Sequence, residues 1–173
     1  MKNLKLFIPL FVGMIILSCC KETSLDEVTV AKVAVSSNSV KQMKLVPFKG
    51  SFETFSERLN TSSPNQRITG NGQASHVGKA KFESLSTLIF TTPPPFTLSG
   101  TSIMEAANGD KIYTNFTGTA TPQPDGTTRL SISHTFTGGT GRFQDVSGYF
   151  HHFATANPAS PLGFIEVKGE ISY

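Results

Sequence analysis

The side chains able to do chemistry are few. Histidines stand at His76, His134, His151 and His152, and the two cysteines are Cys19 and Cys20, so no thiol lies further along the chain. A disulfide, a thiol nucleophile and a cysteine metal site are thereby excluded after residue 20. A zinc centre needs three or four converging ligands, and no histidine spacing here supplies them, so neither metal nor cofactor is expected. What remains is acid–base chemistry or hydrogen bonding by imidazole. His134 alternates with Leu130, Ile132 and Phe136, which points it toward a core, and Glu105 lies late in a strand just before the "NGD" turn. His134 and Glu105 form the catalytic candidate pair. His76, Tyr113, Asn115 and Tyr149 are candidates for holding a ligand. His151 and His152 face opposite ways on any strand, so at most one points inward, and the same holds for Tyr149 and Phe150. These residue types also furnish solvated strand faces, and no Ser-His-Asp order stands out.

The segment "HTFTGGTGRFQDVSGYF", residues 134–150, raises the question of a phosphate loop. Such a loop needs a strand, a glycine turn and then a helix whose N-terminus meets the anion. After Gly141 the chain reads "RFQDVSGYFHHF", with a glycine at 148 and alternating aromatics, which is a turn followed by a strand. Gly-Lys-Ser/Thr is missing, and Gln144 stands where G-x-G-x-x-G needs its third glycine. The loop is a corner between strands. Arg142 within it suits a salt bridge or backbone hydrogen bonds at a tight turn, or an anion clamp.

The elements that must position these residues are strands, because the hydrophobic period is two. In "KIYTNFTGTA" one face carries Ile112, Thr114, Phe116 and Gly118 and the other Tyr113, Asn115 and Thr117. "RLSISHTFT" and "GFIEVKGEISY" alternate in the same way, and hydroxyl residues fill the polar faces as an exposed sheet requires. Breaks at "NTSSPNQ", "TTPPP", "NGD", "TPQPDG" and "NPASP" divide the runs, since Pro cannot donate to a ladder and Asn-Gly accepts positive φ. The spacing predicts eight strands near 45–56, 66–76, 79–90, 96–107, 111–120, 127–137, 146–156 and 162–173. Short links make them antiparallel, and glycines within strands favour a closed barrel, whose wall bends sharply, over a sandwich. No helix longer than a turn or two is expected.

The start of the chain has another character. Lys2 and Lys5 precede the apolar run "LFIPLFVGMIIL" and then "SCC". That is the plan of a secretory signal, and the run falls short of the roughly 20 apolar residues of a membrane span. Ile16-Leu17-Ser18-Cys19 resembles the bacterial lipobox, in which the cysteine after the small residue receives a diacylglyceryl group and becomes the mature N-terminus. Cys19 fits with Ser18 before it, and Cys20 is the competing choice. The resemblance implies a signal over 1–18, a polar tether over 19–44 and a barrel domain over 45–173, lipid-anchored in a bacterial cell envelope and in its outer membrane by first choice. Loss of residues 1–18 removes Lys2 and Lys5 and lowers the formal charge from +3 to +1. The remaining basic residues form no stripe, so nucleic acid is not an expected partner.

"FTGGTGRFQDVSGYF", with "GNGQASHVGKAKF" and "AANGDKIYTNFTGTATP", resembles the allene oxide cyclase and dirigent protein group, in particular its exported bacterial members. The likeness covers nearly all of 45–173. It implies an eight-stranded antiparallel barrel in which the glycines make a corner and the aromatic plugs the core, and it makes homo-oligomers unsurprising. Val146-Ser147-Gly148 departs from the Ala-Arg-Gly of dirigent proteins, so their pocket arginine is missing and their chemistry does not carry over. Three functions stay open: a barrel that binds a small apolar ligand, an isomerase or cyclase acting on an apolar substrate inside it, and a structural envelope protein with a filled barrel. Fourteen phenylalanines and no tryptophan suit an apolar lining and a filled core alike.

Overall fold

The computed structural model describes residues 44–59 and 65–173. The signal segment, Cys19, Cys20 and all of the tether but Lys44 lie outside the described residues. Eight strands follow one another: β1 (Val46–Arg58), β2 (Asn65–Ala74), β3 (Gly78–Ile89), β4 (Phe96–Ala106), β5 (Lys111–Pro122), β6 (Thr128–Gly139), β7 (Ser147–Ala156) and β8 (Leu162–Ser172). Each pairs antiparallel with the next, and β8 returns to β1 with Val46 opposite Ile171 and Phe55 opposite Leu162. The sheet is thus a closed up-and-down barrel with no free edge, and the ring closes within residues 46–172. Among the described residues the one helical element is a single 3-10 turn, Gly141–Phe143.

Alternation fills the interior. Phe48 and Phe52, Phe82, Met104, Ile112 and Phe116, Phe136, Phe150, Val167 and Ile171 are all buried and come from seven strands. Glycine at inward positions makes room for these rings. A Cβ on Gly100 would lie 2.6 Å from Cζ of Phe116, and one on Gly72 would lie 2.8 Å from Cδ1 of Phe52. A small barrel with this complement of rings is packed by side chains rather than left as a pore.

The two ends are built differently. The lower end carries the start of β1, the links at 75–77, 107–110 and 140–146, and the end of β8. There the corner after β6 runs through a bulge opposite Tyr113 and Thr114, then through Gly141, whose φ of +57° suits glycine. Thr140 N–H donates to the Lys111 carbonyl at 2.8 Å, and the Lys111 N–H donates to Thr140 Oγ1 at 2.9 Å. The corner presses Phe143 into the barrel with no exposed surface, flanked by buried Val146 and Val77. The upper end carries the end of β1, the start of β2 and the links at 90–95, 123–127 and 157–161. On the inward faces there, Ser56, Ile68, Leu88, Phe96, Leu130 and Ala154 are only half-buried.

Candidate functional site

Midway up the barrel the lining turns polar. Thr54, Ser84, Ser102, Thr114, His134 and His152 are all buried and point inward. Ser84, Ser102 and Thr114 stand opposite one another across β3, β4 and β5. The Ser102 and Thr114 hydroxyls lie 2.5 Å apart, and Nδ1 of His134 is 3.1 Å from Thr114 Oγ1 and 3.3 Å from Ser102 Oγ. Packing fixes the His134 ring: Phe150 stacks on it at 4.2 Å and 12°, and Phe116 lies at 4.8 Å. The His152 ring is 5.2 Å from that of His134. Nε2 of His134 and Nδ1 of His152 are buried without a hydrogen-bond partner among the described residues.

Burial decides the charge of both rings. The His134 pKa falls to about 2, first through desolvation and then through the neighbouring His152 and His151. Desolvation lowers that of His152 to about 4. A buried imidazole with no carboxylate beside it sheds its proton, and among the described residues no carboxylate is buried. The site therefore holds two neutral imidazoles, each with one donor and one acceptor nitrogen. On β7 His152 sits just under the half-buried Ala154, whereas on β6 Ile132, one inward position above His134, is still buried.

Of the residues singled out from sequence, only His134 lies in this layer. Glu105 is on the outer wall, 3.5 Å from Lys111 Nζ, so the barrel wall separates it from His134 and the expected pair is not assembled. Tyr113 and Asn115 face outward on β5, as their parity requires, and Tyr149 is exposed on β7 with its ring 5.3 Å from that of His151. His76 is not in a strand at all. β2 ends at Ala74, and His76 adopts φ +68° in the turn. Its Nε2 is 3.0 Å from the Pro47 carbonyl, which can only accept, so Nε2–H donates and Nδ1 accepts from the Tyr173 hydroxyl at 3.2 Å. His76 braces the lower end. Arg142 does likewise, donating to the Val77 carbonyl at 3.2 Å and lying 3.7 Å from Asp110 Oδ2.

Of His151 and His152 one points inward, as alternation requires, and it is His152; sequence reasoning missed Thr54, Ser84 and Ser102. Thr114 carried a signal, since it shares parity with Ile112 and Phe116. Two surface depressions of about 600 and 520 Å³ lie on the outer wall, lined in part by Glu53 and Lys81 and by Lys49 and Lys168, and neither reaches the histidines. No three His, Cys, Asp or Glu side chains among the described residues converge as a metal site.

Fold and site together define a closed eight-stranded β-barrel of the size that suits a small ligand-binding protein. No known protein-family model matches the chain, and no curated protein matches it significantly.

Proposed function

We propose that the protein is a bacterial envelope lipoprotein, held at the membrane through Cys19, whose barrel takes a small, mainly apolar ligand through its upper end. The observation that carries this reading is the difference between the ends. The lower end is corked by Phe143, whereas at the upper end the inward faces of β1, β3, β6 and β7 pass from buried to half-buried above the polar layer. Small-molecule sites are mostly apolar with a few polar groups, and the half-buried apolar rim with the polar layer beneath it offers both kinds of contact. The cyclase reading is less well supported, because Glu105 lies outside the wall and the described residues offer His134 no buried ionised partner.

Membership of the allene oxide cyclase and dirigent-like group is part of the proposal. The segment that carries the resemblance forms the β6–β7 corner, and its aromatic, Phe143, is fully buried.

The test is native mass spectrometry on residues 21–173, which contain the whole closed ring, after expression in a bacterium. A reproducible added mass that leaves on denaturation is the expected result and identifies the ligand class. A clean mass in several hosts overturns the binding reading in favour of a filled barrel acting through its outer surface. Lipidation is tested by labelling the full chain with a radioactive fatty acid, where Cys19→Ser abolishes incorporation and Cys20→Ser retains it.

A further inference from the structure

We propose that His134 and His152 together form the polar recognition site of the barrel, and that they select a ligand bearing an uncharged oxygen group, a hydroxyl or a carbonyl. The proposal rests on the reading that a ligand enters from the upper end.

Three observations carry it. First, Nε2 of His134 and Nδ1 of His152 are the two buried side-chain nitrogen or oxygen atoms that lack a partner among the described residues. Buried polar atoms are almost always paired, so two unpaired ones in a single layer call for a group that would satisfy them. They belong to side chains with 1 % and 6 % of their surface exposed, on adjacent strands, with rings 5.2 Å apart.

Second, the hydroxyl pair behind His134 makes its free nitrogen adaptable. When the Thr114 hydroxyl donates to Nδ1, Nε2 carries the proton and faces the site as a donor. When Nδ1 carries the proton and donates to a hydroxyl, Nε2 becomes an acceptor. Both hydroxyls rotate, so either arrangement keeps the contacts at 3.1 and 3.3 Å. A carbonyl oxygen requires the first arrangement, and a hydroxyl is served by both.

Third, among the described residues no opposite charge waits in the interior. No carboxylate, lysine or arginine side chain is buried among the described residues. Desolvation holds both imidazoles neutral, so a carboxylate entering here loses its water and meets no cation, and an ammonium meets no anion. An uncharged oxygen avoids that penalty. Beside and above the pair the interior is apolar, with Ile132, Leu98, Ala120 and Ile165 buried and Leu130 half-buried at the rim, so the body of the ligand would displace or pack against these side chains toward the upper end.

The experiment uses residues 21–173 and four matched probes: propylbenzene, 3-phenyl-1-propanol, 4-phenyl-2-butanone and 3-phenylpropanoate. Affinity is read by titration, and the imidazole nitrogens by long-range ¹⁵N NMR at pH 7. The alcohol and the ketone are expected to bind about tenfold or more tighter than the hydrocarbon and the carboxylate, the order that one hydrogen bond to a desolvated partner supplies. They should shift His134 Nε2 and His152 Nδ1, with the ketone raising the protonated fraction of His134 Nε2. His152→Phe should lower the alcohol to the affinity of the hydrocarbon while leaving the hydrocarbon bound. The NMR arm on the wild-type protein carries the test if that variant does not fold. Equal binding of hydrocarbon and alcohol, or tightest binding of the carboxylate, overturns the histidine assignment and leaves the barrel a binder. Binding of none of the four overturns the binding reading and this one with it.

Discussion

The lower and upper halves of this barrel are made from the same alternating strands, yet they are finished in opposite ways. Below, Phe48, Phe136 and Phe150 pack with ring centroids 5.5–5.6 Å apart, and Phe143 meets Tyr173 at 5.5 Å. Loops far apart in sequence are tied across that end by His76, Arg142 and Asp110. Above, the buried cluster shrinks to Leu98, Phe116, Ala120 and Ile132, with Leu88, Phe96 and Leu130 only partly covered. The upper end keeps a half-covered apolar rim above a polar layer with two unpaired nitrogens among the described residues, and these are the features on which the proposed ligand site rests.

The most severe way to break the comparison is to pull the cork. Phe143→Ala removes a fully buried ring and should destabilise the fold by about 3–5 kcal/mol, whereas Leu130→Ala at the half-buried rim should cost no more than about 1 kcal/mol. Urea unfolding of the two variants side by side checks this, and equal losses would erase the distinction between the ends.

Acid probes the polar layer next. Both histidines have folded pKa values far below the ordinary 6.5, at about 2 for His134 and about 4 for His152. The unfolded chain therefore binds protons before the native state does. The stability that neutral burial protects is present in full above pH 6.5 and is lost as pH falls from there through the folded values. Between pH 7 and 5 each histidine should account for about 2 kcal/mol of lost stability. Urea midpoints across that range, with His134→Phe and His152→Phe flattening the slope, give the measurement. A slope unchanged in both variants would place the acid sensitivity elsewhere.

The brace at the lower end is a smaller effect. His76→Gly keeps a backbone that tolerates φ +68° but loses both ring hydrogen bonds, and His76→Ala loses the bonds and keeps the strain. The alanine variant should be the less stable by about 0.5–1 kcal/mol in thermal unfolding. Smallest of all is Glu105→Gln. Its ion pair with Lys111 is half-exposed on the outer wall, so stability should move by less than about 0.5 kcal/mol and probe binding not at all. A loss of probe binding in that variant would revive a catalytic or binding part for Glu105.

These contrasts also mark where the sequence was readable. Strand periods and turn residues are local, so all eight strands fall within three residues of their expected bounds, as with 111–120 against Lys111–Pro122. The glycine segment was legible as a corner because the residues after it alternate as a strand, and the structure adds only a single 3-10 turn before β7. Which way a residue faces was harder. In "TSIMEA" both Ile103 and Met104 are apolar, and alternation alone does not choose; Met104 is buried, Ile103 is exposed, and Glu105 follows Ile103 outward. In "YFHHF" the phase is reset by the corner before it, so the inward turn of Phe150 and His152 depends on packing with β8 and β6. Ser84 and Ser102 read as members of a solvated hydroxyl face, because a buried serine is recognised only by its partner, and Ser102 finds its partners on β5 and β6.

The central claim is that the barrel works through its upper end, and plugging that end tests it most directly. Ala154 is half-buried immediately above His152, and Ala154→Trp would fill the mouth without touching the lower core. Native mass spectrometry of residues 21–173 should show a ligand mass on the wild-type barrel and on Glu105→Gln, and none on Ala154→Trp folded to the same far-ultraviolet spectrum. A ligand mass that survives in Ala154→Trp would contradict the account and move the site to the outer wall.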